Sequence, residues 1–229
     1  DGICGILNWL FVYVLNLTAQ LETWFGEAES AKRLRDKAVN ITNALHQHFW
    51  SETHSMFADD TAKSTFSEHT QSLAVLSGHI STEQAEMILL KAWKSTETAK
   101  TTIYFSHYLF EAAYMLKIPG IIFDRLKQDW GMLTDMGFKT TYETPLPTRS
   151  DCHAWGAHPL YHYYASIIGV RPKSLSSPEM SIEPLYGHLE WLEADLPYKH
   201  GVLNVHGHKA NNSFVLKEFK HLPSLNSKI

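Results

Sequence analysis

The run from Gly137 to His162, GFKTTYETPLPTRSDCHAWGAHPLYH, holds the densest collection of chemically useful side chains in the sequence. A single carboxylate, Glu143, stands between Thr140-Thr141-Tyr142 and a Pro-rich turn. Behind it comes a segment loaded with His, Trp and Tyr. A loop carboxylate can act as a general acid or base. Aromatic faces and imidazoles beside it suit a ligand that has flat apolar faces and many hydroxyls. Cleaving a glycosidic bond takes two such carboxyl groups, one to protonate the leaving oxygen and one to activate water or attack directly. Glu143 is the candidate for one of them. The bland alternative is a solvated loop Glu.

His153, His158 and His162 are the next candidates. His158 and His162 are four residues apart, a spacing open to a metal pair, but there is no HExxH arrangement and no third ligand at a characteristic distance. They read as hydrogen-bonding histidines, and no metal or other cofactor is expected. His153, at the start of the segment, is the one best placed to face a pocket. Trp155 and Tyr142 follow it as candidates for contact with a sugar ring. Asp151 reads as a helix N-cap. Ser67-Glu68-His69-Thr70 is a lesser cavity-lining candidate. GxSxG, the P-loop and GxGxxG do not occur, which sets aside the usual nucleotide folds.

These residues need a scaffold, and the hydrophobic pattern describes one. Leu7, Leu10, Phe11, Val14, Leu17, Leu21 and Trp24 recur at steps of three and four, the stripe of an amphipathic helix that Gly26 ends. Ala31, Leu34, Ala38, Ile41, Leu45 and Phe49 repeat the period, so the first two helices form a hairpin. Trp50 to Ala62 loses the period and reads as a loop with one short extended piece. Ser67 and Ser81 cap the helices that follow, Ser81 with Gln84 in a capping box. Further helices are expected over Tyr104–Leu116, closed by Pro119-Gly120, then Ile121–Met136, then Cys152 to about Ile168. About seven helices on short turns build an α-solenoid or a closed α/α toroid. After Pro172 the pattern changes. Residues 174–178 read as a linker, and the rest reads as a small antiparallel β module with Leu203 and Val205 on one face and Val202, Asn204 and His206 on the other. The fold class is therefore mainly α: helical hairpins, then a small antiparallel β module.

A chain of 229 residues with 44% hydrophobic content can bury an ordinary core. A net charge of -4 without a Lys/Arg cluster argues against nucleic acid or an anionic membrane as partner. The two cysteines, Cys4 and Cys152, make no disulfide framework and read as buried free thiols. Asn16-Leu17-Thr18, Asn40-Ile41-Thr42 and Asn211-Asn212-Ser213 are glycosylation-type triplets that would fit a secreted protein; the compartment stays open.

Five segments carry a resemblance to a known family. They are Leu7-Asn8-Trp9, the run Ser67 to Ala74 (SEHTQSLA), Gly137 to Glu143 (GFKTTYE), Arg149 to Trp155 (RSDCHAW) with Ala157-His158-Pro159, and Ile182 to Leu189 (IEPLYGHL). Together they resemble the C-terminal part of α-L-rhamnosidases of glycoside hydrolase family 78. The resemblance implies part of an (α/α)6 toroid over residues 1–172 and a partial C-terminal β-sandwich over 173–229. It implies hydrolysis of terminal α-L-rhamnose with inversion, Glu143 matching the general base and His153 a histidine that contacts the sugar. The carbohydrate is then the partner. The family's general acid lies in an upstream Arg-Asp-Glu-Arg type stretch. Arg35-Asp36-Lys37 does not match it, so the acid is expected outside this chain and the chain alone is expected to be inactive. Two readings compete: a non-catalytic helical-repeat binding module, and a toroid glycosidase for another sugar.

Overall fold

The computed structural model describes residues 3–144, 147–174, 179–198, 201–210 and 213–217. The chain divides into two compact units. One holds residues 1–116 and 143–149, the other 117–142 and 150–229.

In the first unit α1 (Gly5–Trp24) and α2 (Ala28–Phe49) pack against each other as the expected hairpin. Gly26, with φ of 84°, makes the turn that ends α1. A minimal hairpin, β1 (Trp50–Ser51) with β2 (Met56–Phe57), is the short extended piece. Then come α3 (Glu68–Ser77), α4 (Thr82–Lys94) and α5 (Ser106–Met115). Helix α3 is central, packed against α1, α4 and α5. Its buried residues include Glu68, Thr70, Gln71 and Ser72, so its polar groups need internal partners. Gln71 answers for two backbone groups at once: its Oε1 accepts from Phe57 N at 3.0 Å and its Nε2 donates to Phe57 O at 2.7 Å. Ser67 and Ser81 cap α3 and α4 by accepting from Thr70 N and Gln84 N, as their spacing predicts.

The apolar stripe expected to bury α1 does not do so here. Leu7 is 63% exposed, and Phe11, Val14, Leu17, Leu21 and Trp24 are also exposed. The buried residues are Gly5, Trp9, Val12, Leu15 and Ala19. Helix α1 is apolar nearly all round, and on such a helix periodicity does not choose between faces. Shape decides instead. Trp9 fits edge-on to Phe57 with ring centroids 4.8 Å apart, and Ala19 allows close helix contact.

The second unit opens with α6 (Pro119–Arg125), a π-helical turn at Leu126–Trp130 and α7 (Gly131–Asp135). Pro119, expected to close the preceding helix, begins the next one, where its missing N–H costs nothing. The helix expected from Cys152 to Ile168 is broken into a 3-10 turn (Ala154–Ala157), α8 (Pro159–His162) and a π-helical turn (Tyr163–Ile167). Asp151 does not cap it. The residue before the first turn is His153, in extended conformation and without a side-chain cap bond. Pro159 explains the break: it lacks the N–H that a continuous helix would use there.

Strands β3 (Val170–Pro172) and β4 (Met180–Ile182) pair antiparallel. β5 (Trp191–Tyr198), β6 (Gly201–Ala210) and β7 (Ser213–Lys217) form an antiparallel meander in that order. Leu203 and Val205 face inward, joining Ile168, Val170 and Leu192 in one cluster. Helix end and sheet thus share a core, and residue 172 falls inside this unit. Residues 175–178, most of the expected linker, and Asn211-Asn212 of the third glycosylation triplet lie outside the described residues. Asn16 of the first triplet is on α1, half-buried, and donates to Ser77 O at 2.7 Å. Both cysteines are free, as expected, but Cys152 is exposed and Cys4 half-buried, so neither is the buried thiol expected of it.

Candidate active site

Glu143 belongs to the first unit, on the segment 143–149. Its side chain is 18% exposed and its Oε1 lies 3.4 Å from Arg149 Nη1. It is therefore no freely solvated loop carboxylate. A loop carboxylate in its ionised form can accept a proton from water as a general base.

His153, Trp155 and Tyr142 belong to the second unit, where two strands of loop are laced together. His153 N donates to Thr141 O at 2.7 Å. Thr141 Oγ1 donates to His153 O at 2.7 Å, and Thr140 Oγ1 donates to Asp151 O. The hydroxyls of the Thr-Thr pair thus serve as struts. Gly156 lets the loops approach: a Cβ there would sit 2.8 Å from Tyr142 O. Trp130 Nε1 donates to Gly156 O at 2.7 Å and holds the turn from the other side.

Within this lattice the two aromatic candidates separate. Tyr142 is 2% exposed, and its hydroxyl donates to Asp129 O at 2.6 Å. Burial, aided by the Asp129 charge, pushes its phenol up, so it stays neutral and bonded. Arg125 Nη1 lies 3.5 Å from Asp129 Oδ2 in turn. Tyr142 is a buried strut and does not offer a face for a ring to lie on. Trp155 is 47% exposed and its ring centroid is 4.3 Å from that of His153. The pair presents an indole face beside an imidazole, the combination a sugar ring uses.

His158 and His162 meet edge to face at 5.5 Å, and His162 Nδ1 shares a 2.9 Å hydrogen bond with Ser166 Oγ. Glu68 is fully buried; its Oε2 accepts from Thr101 N at 2.8 Å and Lys100 Nζ lies 3.2 Å from its Oε1. It fastens the chain before α5 to the start of α3. His69 stacks near Phe105, centroids 4.3 Å apart, and burial lowers its pKa against the pull of Asp59 and Glu68. Sequence reasoning missed Trp130, Asp129 and Gly156. The one available signal was Gly156 between two aromatic-rich stretches. No described helix is long and apolar enough to cross a membrane.

Residues 5–167 match the family model of the bacterial alpha-L-rhamnosidase six-hairpin glycosidase domain, and the chain belongs to that family. Among solved structures, the glycoside hydrolase family 78 rhamnosidase of Bacillus sp. GL1 is similar, with TM-score 0.84 and 22% identity. That match covers 94% of this chain and 25% of the Bacillus one. A rhamnosidase from Klebsiella oxytoca, solved with rhamnose bound, matches with TM-score 0.63 and 20% identity over 69% of this chain and 33% of its own. At these identities the likeness speaks for the fold: helical hairpins of the toroid type, followed by antiparallel strands. The chain spans a quarter to a third of the length of these relatives. No curated protein matches.

Proposed function

We propose that this chain carries the general-base side of an inverting α-L-rhamnosidase site. Glu143 deprotonates the attacking water, His153 binds the sugar, Trp155 offers a ring face, and Tyr142 holds the loop that leads into Glu143. The general acid comes from outside this chain. An inverting pair stands about 6.5–9.5 Å apart to admit the water. The observation that carries the reading is family membership over residues 5–167, a span that includes Glu143 in its Thr-Thr-Tyr-Glu setting. The substrate reading, a terminal α-L-rhamnoside, is supported by the rhamnose bound to the Klebsiella relative. Residues 1–172 are then part of the catalytic toroid and 173–229 part of a β-sandwich domain. The end of the family match at 167 supports a division close to that position.

The test is hydrolysis of an aryl α-L-rhamnoside. This chain alone gives no turnover; turnover would show that the acid lies within it. In a longer polypeptide that includes the upstream acid stretch, Glu143→Gln lowers kcat by about 10²–10⁴, the usual worth of general-base assistance. Undiminished kcat in that variant removes Glu143 from the role. Aryl glucosides and glucuronides in the same assay test the sugar.

A further inference from the structure

A cleft of about 370 Å³ opens in the first unit, between the loop before α3 and the loop before α5. His54, Asp59, Thr65 and Phe66 line one side, Thr96 and Thr98 the other, and Glu143 is not among its lining residues. We propose that this cleft is a second carbohydrate site, one that takes a neutral pyranose ring. It goes beyond the rhamnosidase reading and does not depend on Glu143.

Both walls are held rigidly. On the first, Asp60 accepts from Ser64 N at 3.2 Å, Ser64 Oγ at 3.0 Å, Thr65 N at 2.9 Å and Thr65 Oγ1 at 2.5 Å. Those bonds, the Thr65 hydroxyl's first, hold the Asp60 carboxyl down at about 2. On the second, Ser95 Oγ accepts from Glu97 N and Thr98 N, both at 3.2 Å. Lys100 Nζ ties the same loop to the end of α4 through Ala92 O and Trp93 O. The walls are joined at the floor, where Ala99 N donates to Phe66 O and Glu68 N to Ala99 O. A site built in advance loses little entropy on binding.

The lining selects the ligand. Its volume sits at the small end of ligand pockets, which run about 300–1,000 Å³, so it suits one ring. It contains no Lys or Arg and two carboxylates, Asp59 and Glu97, which disfavours phosphates and acidic sugars. Among the described residues, Asp59, Glu97 and His54 do not converge as a metal-ligand cluster. Phe66 and His54 form a tilted pair, centroids 4.3 Å apart and planes 33° apart, and both line the cleft, supplying aromatic surface for C–H faces. Asp59 Oδ1 is occupied by Ser67 Oγ and Thr70 Oγ1, while among the described residues no donor reaches its Oδ2. A carboxylate, the threonines of the opposite wall and an aromatic pair in one lining are a partner set for the hydroxyls and C–H faces of a ring.

Isothermal titration of the whole chain tests the cleft. The ligands are L-rhamnose, D-glucose and a rhamnosyl-glucose disaccharide, with calcium chloride in a separate arm. At least one sugar binds, and a disaccharide that outbinds both monosaccharides identifies a bound glycoside rather than free sugar as the ligand. Thr96→Trp, on an exposed position, fills the cleft and abolishes that binding; Phe66→Ala weakens it about tenfold. Circular dichroism confirms that both variants fold. No heat with any sugar, a response to calcium alone, or wild-type affinity in Thr96→Trp overturns the proposal. The hydrolysis assay reads the rhamnosidase proposal separately.

Discussion

Replacing Gly156 by Ala tests whether the loop lattice in the second unit is as tight as it looks. A Cβ there meets Tyr142 O at 2.8 Å, Thr141 Cβ at 3.0 Å and Thr141 Oγ1 at 3.2 Å. Carbon contacts are comfortable at about 3.5 Å or more, so the two strands must part by roughly half an ångström. The nearest atom is a backbone carbonyl and cannot rotate aside. Parting the strands stretches His153 N to Thr141 O and Thr141 Oγ1 to His153 O, each worth about 1 kcal/mol net. Overpacking of this kind costs about 1–3 kcal/mol. The readout is amide hydrogen exchange at His153, whose N–H is the donor in the lattice. A loss of 1–3 kcal/mol speeds exchange by about five- to 150-fold. Gly120→Ala is the control in the same unit: nothing lies within 4 Å of its added Cβ, and it sits in the first turn of α6. It should leave His153 exchange unchanged and stabilise slightly, by about 0.4–1 kcal/mol. Unchanged exchange in Gly156→Ala, or equal acceleration in both variants, would refute the close-approach argument.

Two further outcomes are expected of the first unit. Glu68→Ala removes a buried carboxylate and strands Thr101 N–H, costing about 3 kcal/mol. That is the low end for a buried pair, because Lys100 is 39% exposed and can turn to water. Glu68→Gln keeps an acceptor and costs about 1–2 kcal/mol. Equal losses in urea denaturation would show that the hydrogen bond to Thr101 contributes nothing. Burial lowers the pKa of His46, His69 and His79 below 6.5, so the folded state binds fewer protons than the unfolded one. Their contribution is complete above pH 6.5 and is lost as pH falls through the depressed values. The urea midpoint should therefore drop between pH 7.5 and 5.5, with a smaller drop in His69→Gln; a midpoint that rises on acidification contradicts the assignment.

Local chemistry was legible wherever one residue settles it. Ser67 and Ser81 announce their caps because a hydroxyl before a helix has few better uses. The alternation of Leu203 and Val205 with Asn204 and His206 announces β6, since strand period leaves one choice of face. Periodicity misplaced the buried face of α1 because that helix is apolar on both sides. It also joined Cys152 to Ile168 into one helix, although a 3-10 turn, Pro159 and a π-helical turn divide the run.

The order of elements, from helices to antiparallel strands, and the motif around Glu143 are properties of residue type and spacing, so the chain alone determines them, although the first strand begins at Val170, before the expected change at Pro172. Which aromatic is strut and which is face was decided only in three dimensions. Tyr142 and Trp155 carry equal promise as letters, but one is closed in by Asp129 and the other stays open beside His153. The cleft beside Asp59 belongs wholly to tertiary structure, because its two walls are about thirty residues apart and meet through backbone bonds that no side-chain pattern encodes.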